Sequence, residues 1–279
     1  MGMKRILNYP GSKWSMAKWI IDHMPTHEVY LEPYFGSGAV FFNKERAKIE
    51  TINDIDSRIV NLFQVIRDNP EALCRAIDFT LLSREEHQLS FIDEGDSVER
   101  ARRFLVRCWQ SIGAKTADRT GWRSSIDPKG SKYQEWSTLS QRISPIAEQL
   151  KNAQIEHQPA CDVIQRYNRD NVLIYADPPY PLETRTKRHY ANEMSTQDHQ
   201  DLLEVLCDHN GPVIVSSYDN ALYNRMLKGW QKESLVVTAE RGAKKRETIY
   251  INPAAATYTN QLTLFDDEMQ LERGIRQKI

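Results

Sequence analysis

Val172-Leu173-Ile174-Tyr175-Ala176 is a short, β-rich apolar run that stops against Asp177-Pro178-Pro179-Tyr180. Such a run reads as a strand buried on both faces, which places it inside a parallel sheet covered by helices. Two consecutive prolines cannot continue a strand's ladder, so the chain must turn there. The turn leaves a carboxylate, a fixed carbonyl and an aromatic ring together at the strand's carboxyl end. In open α/β sheets that edge is where ligands bind. A planar base with an exocyclic amine needs this set: two acceptors for its N–H groups and a ring to stack on.

The rest of the chain supplies the sheet. Glu28–Pro33 predicts a strand, followed by Tyr34-Phe35-Gly36-Ser37-Gly38 and a helix from Ala39 to about Ala47. Ile49–Asp54 predicts a second strand and Ser57–Arg67 a second helix, with apolar Ile59, Leu62, Phe63 and Ile66 at helical spacing. This βαβα opening is the signature of a doubly wound α/β sheet. Further strands are expected at Ala153–Glu156 and Pro212–Ser216, with a helix at Gln197–Cys207. Leu235–Thr238 and Thr248–Ile251 are expected as a closing pair joined by a basic Arg241–Arg246 loop.

Between Arg67 and Ala153 lie about 85 residues, far too many for a loop inside a compact domain. Helical patterns at Ala101–Ile112 and Glu135–Leu150 flank a turn-rich middle. The expected organisation is a core domain of residues 1–68 and 153–258, an inserted, mainly helical subdomain at 69–152, and a tail from 259 to 279. Net charge is −1, yet the stretch from Arg100 to Lys151 holds eleven Lys/Arg against four Asp/Glu. So lopsided a segment in a neutral chain points to contact with phosphates. Within it Arg119, Trp122, Arg123, Lys129 and Lys132 interleave cations with an aromatic ring, and Lys187 and Arg188 form part of a second basic cluster. These are the candidate nucleic-acid contacts. Trp109 and Trp136 are expected in the core of the inserted segment.

No run reaches the length of a membrane span, and the N-terminus lacks the apolar stretch of a signal peptide. Cys74, Cys108, Cys161 and Cys207 are scattered without close pairing, and the seven histidines show no metal-ligand spacing. A cytoplasmic protein with no metal and no membrane partner is expected.

Gly36-Ser37-Gly38 lies between a strand and the expected helix, where small residues let the backbone approach a ligand. The third glycine of a dinucleotide fingerprint is absent, and Gly11-Ser12-Lys13 is not a phosphate-binding loop. Asp54, at the end of the second strand, can bind ribose hydroxyls. A nucleoside without a pyrophosphate fits this set better than NAD or ATP.

Taken in order, these residues resemble the Dam-type S-adenosylmethionine-dependent DNA adenine-N6 methyltransferases, over most of the chain. Asn8-Tyr9-Pro10-Gly11-Ser12-Lys13 looks like the N-terminal cofactor motif, with Tyr9 where relatives often carry Trp. Glu32-Pro33-Tyr34-Phe35-Gly36-Ser37-Gly38 resembles the glycine motif, Asn53-Asp54-Ile55-Asp56 the ribose-binding motif, and Asp177–Tyr180 the catalytic motif. Ser216-Ser217-Tyr218 and Glu247–Pro253 are similar less specifically. The resemblance implies that Tyr9, Pro10, Gly11, Lys13, Glu32, Tyr34, Gly36, Ser37, Gly38, Asp54 and Asp177 hold the methyl donor. It implies that Asp177, Pro178, Pro179 and Tyr180 act on an adenine flipped out of double-stranded DNA, and that the inserted segment recognises the target. Gln261-Leu262-Thr263-Leu264-Phe265 resembles the motif by which bacterial DNA-processing proteins dock on the replication sliding clamp; folding back onto the domain is the alternative.

Cytosine-C5 methylation is excluded, because none of the four cysteines follows a proline as that chemistry's motif requires. Cytosine-N4, RNA-base or protein-amide methylation remain alternatives, as does a non-catalytic DNA-binding protein on the same fold.

Overall fold

The computed structural model describes residues 3–114, 119–124, 132–185, 190–238 and 244–256, without the side chains at 114, 132, 133, 238, 244 and 245. Strands β1 (Val29–Glu32), β2 (Ile49–Asn53), β3 (Ala153–Glu156), β4 (Val172–Ala176), β5 (Val213–Ser217), β6 (Gln231–Thr238) and β7 (Lys244–Ile251) form one sheet of order β3-β2-β1-β4-β5-β7-β6. The pairs from β3 through β5 are parallel; β7 runs antiparallel to both β5 and β6. The chain winds outward from β1 to β3, then crosses back to β4 on the other side of β1. That reversal opens a crevice between β1 and β4 at their carboxyl ends. Leu31 pairs with Ile174, so the loops following the two strands leave the sheet side by side.

The helices are α1 (Ala17–Ile21), α2 (Ser57–Asp68), α3 (Pro70–Asp78), α4 (Arg84–Leu89), α5 (Ser97–Gln110), α6 (Lys132–Ser137), α7 (Ile143–Leu150), α8 (Ala160–Arg166), α9 (Thr196–Cys207) and α10 (Ala221–Met226). They cover both sheet faces, and β4 shows why its run is unbrokenly apolar. Leu173 and Tyr175 join the core on one face, while Val172, Ile174 and Ala176 join the core on the other. The first core also takes in Ala101, Phe104, Leu105, Val106 and Trp109 of α5, Trp136 of α6, and Ile143, Ile146 and Leu150 of α7. The expected burial of Trp109 and Trp136 therefore holds, within the same apolar mass as the sheet.

Several expected boundaries need correction. Residues 39–43 form turns and 45–47 no regular structure, rather than a helix. Ala39, Val40, Phe41 and Phe42 are all buried, which one face of a helix cannot achieve, so packing overrides the local pattern. Glu135–Leu150 is not one helix: Pro145 has no N–H for a bond to the preceding turn, and a 3₁₀ turn at Ser140–Arg142 separates α6 from α7. The helix expected at Ala101–Ile112 starts four residues earlier, on an Asp96 side chain that caps the Glu99 N–H. The closing hairpin is longer than expected, so Lys244–Arg246 belong to β7 rather than to the joining loop. Its outer strand exposes Lys232, Ser234 and Val236, a pattern that hides a strand from a search for apolar runs.

Candidate active site

Asn53, at the end of β2, ties the crevice together. Its Nδ2 donates to the Pro33 carbonyl (3.0 Å) and the Gln158 carbonyl (3.1 Å), and its Oδ1 accepts from Gln158 N–H (2.9 Å). The loops after β1, β2 and β3 are thereby locked to one another. They enclose, with the loop after β4, a cavity of about 300 Å³ walled by Tyr34, Asp54, Ile55, Cys161, Asp177 and Pro179 among others. A smaller hollow of about 40 Å³ adjoins it, walled by Gly11, Lys13, Glu32, Ser37 and Tyr175. Tyr9, Tyr34, Gly36, Asp177 and Tyr190 line both.

The walls carry an unusual charge set. Asp54 Oδ2 accepts from Gly36 N–H (2.8 Å) and Oδ1 from Asp56 N–H (2.9 Å). Burial nevertheless outweighs these donors and pushes its carboxyl up to about 6. Glu32 accepts the Tyr30 hydroxyl at 2.7 Å. Burial, reinforced by the nearby Asp177 charge, lifts Glu32 to about 8. Lys13 Nζ donates to the Gly11 carbonyl (2.8 Å) and lies 2.9 Å from Asp177 Oδ1. Burial pulls the Lys13 ammonium down, but Asp177 and Glu247 more than reverse this and hold it above the usual lysine range. Burial also raises Asp177, against the opposing pull of Lys13. Asp177 Oδ1 is itself buried, with the Lys13 ammonium as its neighbour.

Carboxylates stand at the ends of β2 and β4 in this crevice, and sequence comparison decides the family. The profile of the D12 class N6 adenine-specific DNA methyltransferases matches residues 9–243. The chain belongs to that family. It is 24% identical over 252 residues to a DNA adenine methylase of Vibrio cholerae serotype O1, covering 85% of this chain and 89% of that one. It is 23% identical over 266 residues to the DNA adenine methylase of Escherichia coli K12 (87% and 92% covered). The Type II methyltransferase M1.LlaDCHI of Lactococcus lactis subsp. cremoris is 25% identical over 258 residues (84% and 90%). Among solved structures, a methyltransferase from Pyrococcus horikoshii aligns with a TM-score of 0.35 and 8% identity, over 88% of this chain and 83% of its own. The family match favours adenine-N6 chemistry on DNA over the cytosine-N4, RNA and protein alternatives.

In this D12-class methyltransferase, the crevice gathers most of the residues expected for the donor. Tyr9, Pro10, Gly11, Lys13, Glu32, Tyr34, Gly36, Ser37, Asp54 and Asp177 all line one or both hollows, and Ser12 and Ser37 are linked through their hydroxyls at 2.8 Å. Gly38 lines neither. A Cβ there would lie 2.5 Å from the rings of Phe35 and Phe42, so aromatic packing rather than a ligand demands this glycine. Of the expected catalytic turn, Pro179 lines the larger cavity, but Pro178 and Tyr180 do not. Tyr180 is buried, with its ring edge-on to Tyr218 at 4.6 Å.

Arg119, Trp122 and Arg123 gather away from the crevice lining, at the carboxyl end of α5. Trp122 bridges Ser111, Arg123 N–H donates to the Gln110 carbonyl at 2.7 Å, and the Arg119 guanidinium lies 5.5 Å from the Phe91 ring. Lys129, Lys187, Arg188, the Lys132 side chain and Gln261–Phe265 lie outside the described residues.

Other lining residues had no motif to announce them. Pro159, Ala160 and Cys161 follow β3, and the rule that ligands meet strand carboxyl ends would have found them. Tyr190, Asn192, Glu193 and Met194 come from the segment after the prolyl turn, where only tertiary folding brings them to the cavity.

Proposed function

We propose that this methyltransferase uses S-adenosylmethionine to methylate the N6 amine of an adenine extruded from double-stranded DNA, with Asp177 and the Pro178 carbonyl accepting the amine's two hydrogens. The observation that carries this reading is Asp177 itself. It lines both hollows, and the Lys13 ammonium stands 2.9 Å from its Oδ1.

The residues fit the donor on grounds of charge and shape. Asp54 has N–H donors on both oxygens and lone pairs to spare for a ribose diol. Ile55 is exposed beside it as an apolar surface for a base. Near Asp177 stand the carboxyl groups of Glu32 and Glu247 and the Lys13 ammonium, with Lys44 also acting on Glu32. Such a set favours a cationic ligand. S-adenosylmethionine, when bound, supplies an electrophilic methyl group on a sulfonium.

An adenine amine is a weak nucleophile because its lone pair is delocalised into the ring. Accepting both N–H hydrogens draws the nitrogen toward tetrahedral geometry and frees that pair. Asp177 then stabilises the positive charge arising on the nitrogen and takes up its departing proton, a role that its raised affinity for protons suits. The proline ring fixes the direction of the second acceptor.

The segment 69–152 supplies the DNA-recognition surface in this reading, with Arg119, Trp122 and Arg123 among its contacts. Lys129, Lys132, Lys187 and Arg188 extend that set, and Gln261–Phe265 docks the tail on a sliding clamp. The enzyme works in the cytoplasm. Radiolabelled methyl transfer to unmethylated duplex DNA, RNA and protein, with nucleoside analysis of the product, tests the function. N6-methyladenine in DNA is the expected product. Asp177→Ala should lower its formation by at least roughly 100- to 1,000-fold while the protein still melts cooperatively. Near-normal turnover in that variant would refute the assignment.

A further inference from the structure

Glu247 lies at the site, and the loose resemblance of Glu247–Pro253 to the family gives it no role there. Because β7 runs antiparallel to β5, the early part of β7 reaches the sheet edge where β4 and β5 end. Thr248 pairs with Ser217, the last residue of β5, so Glu247 stands just beyond that pairing, next to Tyr218. Strand alternation puts Glu247 on the same side as Ile249 and Ile251. From there its Oε2 accepts the Tyr180 hydroxyl at 2.7 Å.

Two further contacts meet the Tyr180 ring. Lys13 Nζ lies 4.8 Å from the ring centroid, and the Tyr218 ring packs edge-on. Neither contact fixes the ring's far end, where a small torsional change moves atoms most. A carboxylate acceptor does, and hydrogen bonds to charged groups are about twice as strong as neutral ones. The same carboxylate faces Lys13, which contacts Asp177. One glutamate thus touches the aromatic and, through Lys13, the acidic member of the prolyl turn.

We propose that Glu247 is a positioning residue that holds Tyr180 in a preset orientation beside Asp177, so that the extruded purine meets a fixed ring. This rests on the adenine-methylating reading above. It extends the working part of the molecule to the last strand, 67 residues beyond Tyr180 in sequence.

The test is a double-mutant cycle on the full-length enzyme, with steady-state methylation of duplex DNA and donor affinity measured separately. Glu247→Leu and Tyr180→Phe should each lower kcat roughly 10- to 100-fold. Donor Kd should stay within about twofold in Tyr180→Phe, whereas Glu247→Leu, which removes a carboxylate facing Lys13, should weaken it by less than its loss in kcat. The double variant should be no slower than the slower single one. Glu247→Gln keeps an acceptor and should recover much of the rate. A duplex carrying 2-aminopurine at the target should lose its bound-state fluorescence signature in Glu247→Leu and regain it in Glu247→Gln.

Effects that multiply in the double variant, or a Glu247→Leu enzyme of normal kcat, would overturn the proposal. So would a Glu247→Gln variant as slow as the leucine one. If wild-type enzyme instead methylates no DNA, or Asp177→Ala remains active, the underlying reading fails, and that outcome is distinct from the cycle.

Discussion

Asp54 is asked to be ionised in a place that resists ionisation. Its two backbone donors favour the carboxylate, and its burial favours the acid, leaving the balance at about 6. Above that pH the carboxylate predominates; below it, a proton occupies one of the oxygens a ribose diol needs. Donor affinity should therefore hold above pH 7 and fall as pH drops through 6, by up to about tenfold per unit once below it. Calorimetric titration at several pH values checks this, and Asp54→Asn should bind weakly with no such dependence. The sequence announced Asp54 by its place after a strand. It announced Gly38 equally well but for a different reason, since the glycine answers to Phe35 and Phe42. Glycine spacing alone cannot separate room for a ligand from room for a neighbouring ring. Glu247 was legible only as the start of a loosely similar stretch, Glu247–Pro253, and its role was not, because its partner Tyr180 is far away in sequence.

At the scale of the element, what could be read depended on how completely each segment is buried. Ala153–Glu156 and Val172–Ala176 were legible to the residue, because short runs at the sheet's carboxyl edge end in turns that sequence marks. The segment after Gly38 misled because its four consecutive buried residues are packed from all sides. Local helical preference is worth tenths of a kcal/mol per residue and yields to such packing. The start of α5 was missed, although Asp96 with Glu99 three residues on is a capping pattern. Asp96→Ala should cost about 1 kcal/mol of stability and lower the melting temperature by a few degrees. Donor affinity should not change, since Asp96 caps the end of α5 opposite Cys108, whose carbonyl accepts from Asn8 Nδ2. Differential scanning calorimetry and donor titration on one sample would separate the two.

For the whole molecule, a net charge of −1 conceals a strongly basic stretch, while carboxyl groups line the crevice. The separation is functional in the proposed reading: one surface attracts a polyanion and the other a cation. DNA affinity should fall steeply with salt, and replacing Arg119 and Arg123 by Ala should make the log–log slope shallower by roughly two. An unchanged slope in filter-binding measurements would remove those arginines from the interface.

Phe104, Leu105 and Trp109 of α5 belong to the same apolar cluster as Phe41, Phe63 and Tyr175 around the sheet. In the proposed reading, the DNA-recognising segment 69–152 therefore shares its apolar interior with the catalytic sheet. Exchanging residues 69–152 for those of a distant relative would tear the enzyme's own interior. New base preferences should arise instead from single changes on the outward side of that segment, made one at a time over an undisturbed foundation.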